Sequence, residues 1–324
     1  MRAAVLVSGE DTPRFVTDFP QPELTSGDQV LLSMKAAAIK HLDRSRASGK
    51  HYSAGSTASA LKVLGGDGVG VTADGARVFA FGTTGMAAEK AIAEKARIIP
   101  LPEGIDDATA AALPNAVAGS AMAILYRAGL KKGETVLING ATGFTGKIAI
   151  QLARYYGAGK IIATGRNPNV LQSLKALGAD EVVSLKQEDA ALMDQLRALH
   201  QTSPIDIVID YLWGQPAALI LQSLKGSGGF TSRTRFVSVG SMAGDSLMLS
   251  SEILRSVDLQ LSGSGLGSWS KAEMQALISE IIPSMFALAA GGKLIVDTIT
   301  LKLEEVSRVW EIDLTMGQRV VLSI

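Results

Sequence analysis

Three glycines carry the most legible chemistry in this chain. In "TVLINGATGFTGKIAIQLARYYG", residues 135–157, an apolar run breaks at Gly140, Gly143 and Gly146. It resumes as a pattern in which Ile148, Leu152 and Tyr155 recur at helical spacing. Glycines between a strand and a helix let the chain turn sharply, let backbone amides approach a pyrophosphate, and let the helix pack closely on the sheet. The helix start adds amide hydrogens and the positive pole of the dipole. Alone, a G-x-x-G-x-x-G loop is only a tight turn. With a strand before it, a helix after it and a second strand beyond, the loop, including Thr142, Phe144 and Thr145, points to dinucleotide binding.

The second strand ends "IIATGRNPN". An NAD-binding chain usually carries an acid for the ribose hydroxyls at this point. Here it is occupied by Gly165, Arg166 and Asn167. A guanidinium can pair bidentately with a 2′-phosphate that a carboxylate would repel, so NADP(H) is expected rather than NAD(H). Asn167 or Asn169 would assist; the plain alternative for Arg166 is a solvated loop arginine. Tyr156 and Lys160 form a Tyr-x-x-x-Lys pair, but it lies at the end of the loop's own helix, where Tyr156 is better read as a packing or capping residue.

The elements that must position these residues alternate in texture. Residues 1 to about 110 hold short β-like runs, "AAVLV", "QVLLSMKAAAI", "ARVFAFG" and "ARIIPLP", between Gly, Pro and Asp turns. From Ala108 a small-residue helix leads into the strand at 135. Strands and helices then alternate: 161–164, a helix from about Asn169, "EVVSL", a helix over 188–200, "IDIVIDYL", a helix from Gln215, "RFVSVG", a helix from about Ser250, and "DLQLSGSG". That order argues for a parallel sheet covered on both faces. The end, "KLIVDTITLKLEEVSRVW" to "QRVVLSI", returns to β texture. The expected fold is α/β, a β domain over 1–112 completed by 287–324, with a doubly wound dinucleotide domain over 113–286 inserted into it.

Composition removes other classes. Among 324 residues, 31 basic side chains balance 31 acidic ones, so neither a nucleic-acid footprint nor a polybasic membrane patch is expected. There is no cysteine, which excludes disulfides, thiolate metal sites and a cysteine nucleophile. The start of the chain reads as a strand rather than a signal sequence, and no window is expected to reach the uncharged apolar length of a membrane span. These features lead to the expectation of a soluble cytoplasmic protein. The three histidines, His41, His51 and His200, show no joint ligand spacing, and His200 is expected at the surface.

At full length the chain resembles the medium-chain dehydrogenase/reductases, in their zinc-free quinone oxidoreductase branch. The likeness rests on "AAIKHLDRSRASGKHY", "LGGDGVGVTADGARVFAF", "AALPNAVAGSAMAILYRAGLKKGETVLINGATGFTG", "LKALGADEVVSL", "DIVIDYLWG", "RFVSVGS" and "GQRVVL", which appear in family order. It implies a GroES-like β domain preceding the Rossmann domain, with the active site in the cleft between them. The zinc ligands of the alcohol dehydrogenase branch would fall on Lys40, Gly66 and Asn115, which argues against a metal. The resemblance further places Gly240 and Ser241 beside the adenine or ribose, Ser264 and Gly265 near the nicotinamide, and Arg319 near the cofactor, with a surface arginine as its alternative. Asn115 reaches the nicotinamide pocket or caps a helix. Lys40 is either an electrostatic anchor and acid or a loop lysine paired with Asp43, and Tyr52 is either a hydrogen-bond donor or a pocket wall. Asp43 and Asp67 would fix loop geometry.

Without a metal, an acceptor whose conjugation spreads the new charge is the easier one to reduce. The expected activity is therefore NADPH-dependent reduction of a quinone or an α,β-unsaturated carbonyl by a homodimer. The rivals are an alkenal or enoyl-thioester reductase, and an NADPH-binding structural or regulatory protein with little turnover.

Overall fold

The computed structural model describes residues 1–7, 12–41, 43, 61–226 and 228–324. By their contacts these fall into two units. The first comprises Met1–Pro114, Ile278–Leu314 and Gln318–Ile324; the second comprises Asn115–Leu277 and Thr315–Gly317.

The first unit is built on strands β1 (Ala3–Val7), β2 (Arg14–Val16), β3 (Gln29–Ile39), β4 (Leu61–Val63), β5 (Asp67–Val71), β6 (Arg77–Gly82), β7 (Lys90–Pro100), β14 (Thr298–Lys302) and β15 (Arg319–Ser323). Its main sheet runs β14-β15-β3-β5-β6-β7, and β2-β1-β4 form a smaller one. The apolar run "QVLLSMKAAAI" forms β3 at its expected bounds. This strand pairs with β5, β7 and β15, and a bulge between Met34 and Ala36 redirects it along β5. Leu32, Met34, Ala37 and Ile39 thereby join Ala80, Met86, Val306 and Val320 in one core.

One stretch departs from its expected β texture. Leu303–Trp310 is a 3₁₀ helix that buries Leu303, Val306 and Val309. The apolar residues recur every third position, which matches three residues per turn rather than the two-residue period of a strand.

The second unit carries β8 (Thr135–Asn139), β9 (Lys160–Gly165), β10 (Glu181–Ser184), β11 (Ile207–Asp210), β12 (Thr234–Ser238) and β13 (Leu259–Gly263). All six are parallel, in the order β10-β9-β8-β11-β12-β13. This is the doubly wound order whose switch point lies beside the first strand, here β8. Near-continuous Val, Ile and Leu make the central strands β8 and β11, as burial on both faces requires.

Helix α1 (Asp107–Ala121) contains the division between the units, at Pro114 and Asn115. Together with the π-helical turn that follows it, it gives a 21-residue run, Asp107–Arg127, long and apolar enough by composition to cross a membrane. This corrects the expectation that no window reaches that length. Alanine-rich helices reach it because small side chains pack closely in a protein core, and 67% of the run's most apolar window is buried.

His200, expected at the surface, is half-buried at the end of helix α4 (Asp189–Thr202; helices α2 and α3 are Phe144–Tyr155 and Pro168–Ser173). Its Nδ1 accepts from the Ile205 amide at 3.0 Å, and burial lowers its pKa below 6.5. The unfolded chain therefore takes up this proton more readily than the folded one. The stability contributed by the neutral ring is complete above pH 6.5 and is lost as the pH falls below it. His200→Asn, which keeps an acceptor for Ile205, is expected to flatten the stability profile from about pH 7 down to about pH 5. Denaturant midpoints across that range check this, and equal slopes for both proteins would refute it.

Candidate functional site

The glycine loop follows β8 in the second unit. Gly140 has φ +86°, a conformation that side chains disfavour. A Cβ on Gly146 would stand 2.5 Å from Ala141 Cα and 2.6 Å from the Gly140 carbonyl oxygen, so the start of α2 lies directly on the loop backbone. The helix N-cap is Gly143, which brings no capping side chain. A backbone approached this closely, ending in the N-terminus of a 12-residue helix, suits a pyrophosphate.

Gly165 closes β9 against the same loop, where a Cβ would meet Thr142 Cγ2 at 2.3 Å. Arg166 follows and is exposed. Asn167 is the N-cap of α3: its Oδ1 accepts from the Asn169 amide at 3.1 Å, and its Nδ2 donates to the Thr315 carbonyl at 3.0 Å. Gly165 is thus brought against the glycine loop, with Arg166 and Asn167 directly after it.

A buried polar chain sets the strand ends behind the loop. The Gly140 amide donates to Thr164 Oγ1 at 3.3 Å, Thr164 donates to Asn139 Oδ1 at 2.6 Å, and Asn139 Nδ2 donates to Asp210 Oδ1 at 2.8 Å. Asp210 also accepts from the amides of Leu212 and Trp213, each at 3.0 Å. Burial raises the Asp210 carboxyl pKa, and these hydrogen bonds oppose the rise. They hold Trp213 at φ 54°, the one non-glycine at positive φ among the described residues. Leu212 then lies against Gly140, and the Gly240 amide donates to the Asp210 carbonyl at 3.2 Å.

Sequence reasoning missed Asn139, Thr164 and Asp210. Their signal was a polar residue closing each of three apolar strands, "VLIN", "IIAT" and "IVID".

The other second-unit candidates are more dispersed. Ser241 and Gly265 are exposed, and Asn115 is half-buried on α1. Ser264 is buried, with its hydroxyl accepting from Trp269 Nε1 at 3.1 Å. Tyr156 forms the C-cap of α2, with its phenol raised to about 12 by burial, while Lys160 donates to Ser203.

In the first unit Lys40, Asp43, Asp67 and Arg319 form a buried charge cluster. Lys40 is 4% exposed and its Nζ donates to Asp67 Oδ1. Asp43 instead accepts from the Lys40 backbone amide at 2.8 Å, so the lysine's side-chain partner is Asp67 rather than the expected Asp43. Arg319, for which a surface position was the alternative, is 6% exposed. Its guanidinium is lowered to about 10 by burial, against the pull of Asp43 and Asp67. Burial in turn pushes the Asp67 carboxyl up, against the pull of Lys40. Tyr52 and His51 lie outside the described residues.

Lys40, Gly66 and Asn115, each taken by its own chemistry, do not suit zinc. Lys40 is a cation already engaged with Asp67, Gly66 has no side chain, and an asparagine amide is a poor zinc ligand. Among the described residues, no group of three or more His, Cys, Asp or Glu could hold a metal.

Residues 145–282 match a family described as zinc-binding dehydrogenase, a span that includes neither Lys40 nor Gly66. The chain is 28% identical to a probable NADPH-dependent quinone reductase of Emericella nidulans, over 99% of both chains. It is 30% identical to the quinone oxidoreductase of Rattus norvegicus, over 57% of each chain. The solved quinone oxidoreductase of Thermus thermophilus, also determined in complex with NADPH, superposes with a TM-score of 0.77 at 25% identity, covering 100% of both chains.

Proposed function

We propose that the chain belongs to the medium-chain dehydrogenase/reductases of quinone oxidoreductase type, a reading its similarities support, and that it reduces a quinone or an α,β-unsaturated carbonyl with NADPH, without a metal. The observation that carries this reading is the tight glycine loop joined to a strand end that presents Arg166 where a carboxylate would select NADH.

When bound, the nicotinamide supplies the hydride. The chain's own groups would hold and orient it. Backbone amides of the loop and the N-terminus of α2 meet the pyrophosphate, Arg166 pairs with the 2′-phosphate, and Gly240, Ser241, Ser264, Gly265 and Asn115 line the remainder. Hydride addition leaves negative charge on the acceptor oxygen, and a positioned donor there typically contributes about 3 kcal/mol. Lys40 and Tyr52 are the proposed donors, with Asp67 fixing the lysine head and Arg319 completing the charge balance around it. The exposed edge of β13, where Leu261 faces solvent, suits a homodimer formed through the second unit.

The test is optical: oxidation of NADPH and NADH against a panel of quinones, enones and simple ketones, with wild type and Arg166→Ala. The expected result is turnover of quinones or enones with NADPH, insensitive to chelator. Arg166→Ala should lose about 1.5–3 kcal/mol of NADPH affinity, the worth of a charge-assisted pair, with little change toward NADH. Equal losses for both cofactors would refute the role of Arg166. Tight NADPH binding without turnover would favour the binding-protein reading, which the engagement of Lys40 by Asp67 makes the main rival.

A further inference from the structure

We propose that Thr315–Gly317 is a latch on the phosphate side of the cofactor site, and that Lys147 and Asn167 are the positioning residues that set it. The inference rests on reading the glycine loop as the NADPH site.

These three residues group with the second unit, although the chain on either side of them groups with the first. Several contacts hold them. Lys147 Nζ donates to the Met316 carbonyl at 2.8 Å. Asn167 Nδ2 donates to the Thr315 carbonyl at 3.0 Å. Gly317, at φ +66°, lies so close to the loop that a Cβ would stand 2.2 Å from the Thr142 carbonyl oxygen. One end of the latch is therefore fixed to the glycine loop and α2, and the other to the turn that carries Arg166.

Lys147 is an odd choice for the helix alone. It sits in the first turn of α2, where a cation opposes the dipole, and it is only 9% exposed, so its ammonium is largely removed from water. A phosphate bound beside it reverses the sign of both terms. Asn167 has its Oδ1 on the amides of Asn169 and Val170 and its Nδ2 on the latch. Its polar atoms serve the turn and the latch, so it acts on the 2′-phosphate through Arg166's placement rather than by contact.

The two ends then predict different phenotypes. The Lys147 end borders the pyrophosphate, which both cofactors share; the Asn167 end borders the 2′-phosphate, which only NADPH carries. Lys147→Met keeps the packing of the stem and removes the donor. It should raise Kd for NADPH and NADH alike by about tenfold. Asn167→Ser keeps a capping oxygen and loses the amide. It should raise Kd for NADPH about fivefold and leave NADH unchanged. Lys147→Arg, which retains a donor, should recover most of the affinity.

The measurements are cofactor titrations by fluorescence and hydrogen exchange at the Met316 and Gly317 amides. NADPH should slow that exchange in wild type and not in Lys147→Met. Variants that bind both cofactors as wild type does, or that lose thermal stability with Kd unchanged, overturn the latch. Equal loss of NADPH and NADH in Asn167→Ser overturns the two-ended assignment. A wild-type protein that binds neither cofactor overturns the nucleotide reading itself, and the latch with it.

Discussion

Asp67→Ala should cost the first unit about 3–5 kcal/mol of stability, the range for breaking a buried ion pair from one side. Lys40 is 4% exposed and its ammonium is held by Asp67. Without that carboxylate, two buried cations, Lys40 and Arg319, keep Asp43 as the counter-charge of the cluster. Burial already disfavours the charged state of Asp67 and of Arg319, so the cluster persists through its mutual pairing rather than through solvation. Lys40→Met in the same chain should recover most of the loss, because charge and counter-charge then leave together and the stem's volume remains. Denaturant titration followed through Trp310, the tryptophan of the first unit, gives both numbers. A loss below about 1 kcal/mol in the single variant, typical of an exposed pair, would show that water reaches the cluster.

Gly146→Ala should be a severely damaging single methyl at the glycine loop. The added Cβ would meet Ala141 Cα at 2.5 Å, the Gly140 carbonyl oxygen at 2.6 Å and the Ala141 carbonyl carbon at 2.9 Å. All three are backbone atoms, so no side-chain rotation relieves the contact. The helix must move away from the loop, with an overpacking cost of about 1–3 kcal/mol. The amides that would meet the pyrophosphate move with it. Cofactor affinity is expected to fall on the order of a hundredfold, equivalent to roughly 2.7 kcal/mol. Gly143→Ala is the matched control for stability: the nearest atom to its Cβ is the Gly140 carbonyl oxygen at 3.7 Å, an ordinary contact. Melting curves of the two variants should separate sharply. Similar curves would mean that the close approach of loop and helix is not what the fold requires.

The sequence made the central strands of the second unit readable because burial on both faces demands near-continuous Val, Ile and Leu, and glycine closes the runs at Gly140, Gly165 and Gly240. It also disclosed the long strand β3 at both ends. It misleads at Leu303–Trp310, where an apolar residue at every third position reads as β texture when the neighbouring runs are strands.

At the site, the glycine loop and Gly165–Asn167 were legible because backbone demands leave a mark on residue type. The Lys40–Asp67 pair was not, since the two are 27 positions apart and only the register of β3 and β5 brings them together. The latch was hidden for the same reason. "TMG" has no chemistry of its own until Lys147 and Asn167 reach it from the far side of the chain.

Strand β15 lies between β14 and β3, so the main sheet of the first unit joins residues as far apart as Ile39 and Arg319, 280 positions along the chain. During synthesis, one side of β3 therefore waits for its partner while everything from 135 to 263 is made and can close its own parallel sheet. At ribosomal speeds of about 5–20 residues per second the wait is roughly 15–60 seconds. The β unit must spend that interval as an incomplete sheet with an unpaired apolar edge, the kind of surface that recruits other chains. Order of appearance and order of completion are thus reversed, since the part translated first is finished last. Expression yield should accordingly depend more on what shields that edge in the nascent chain than on the final stability of either unit.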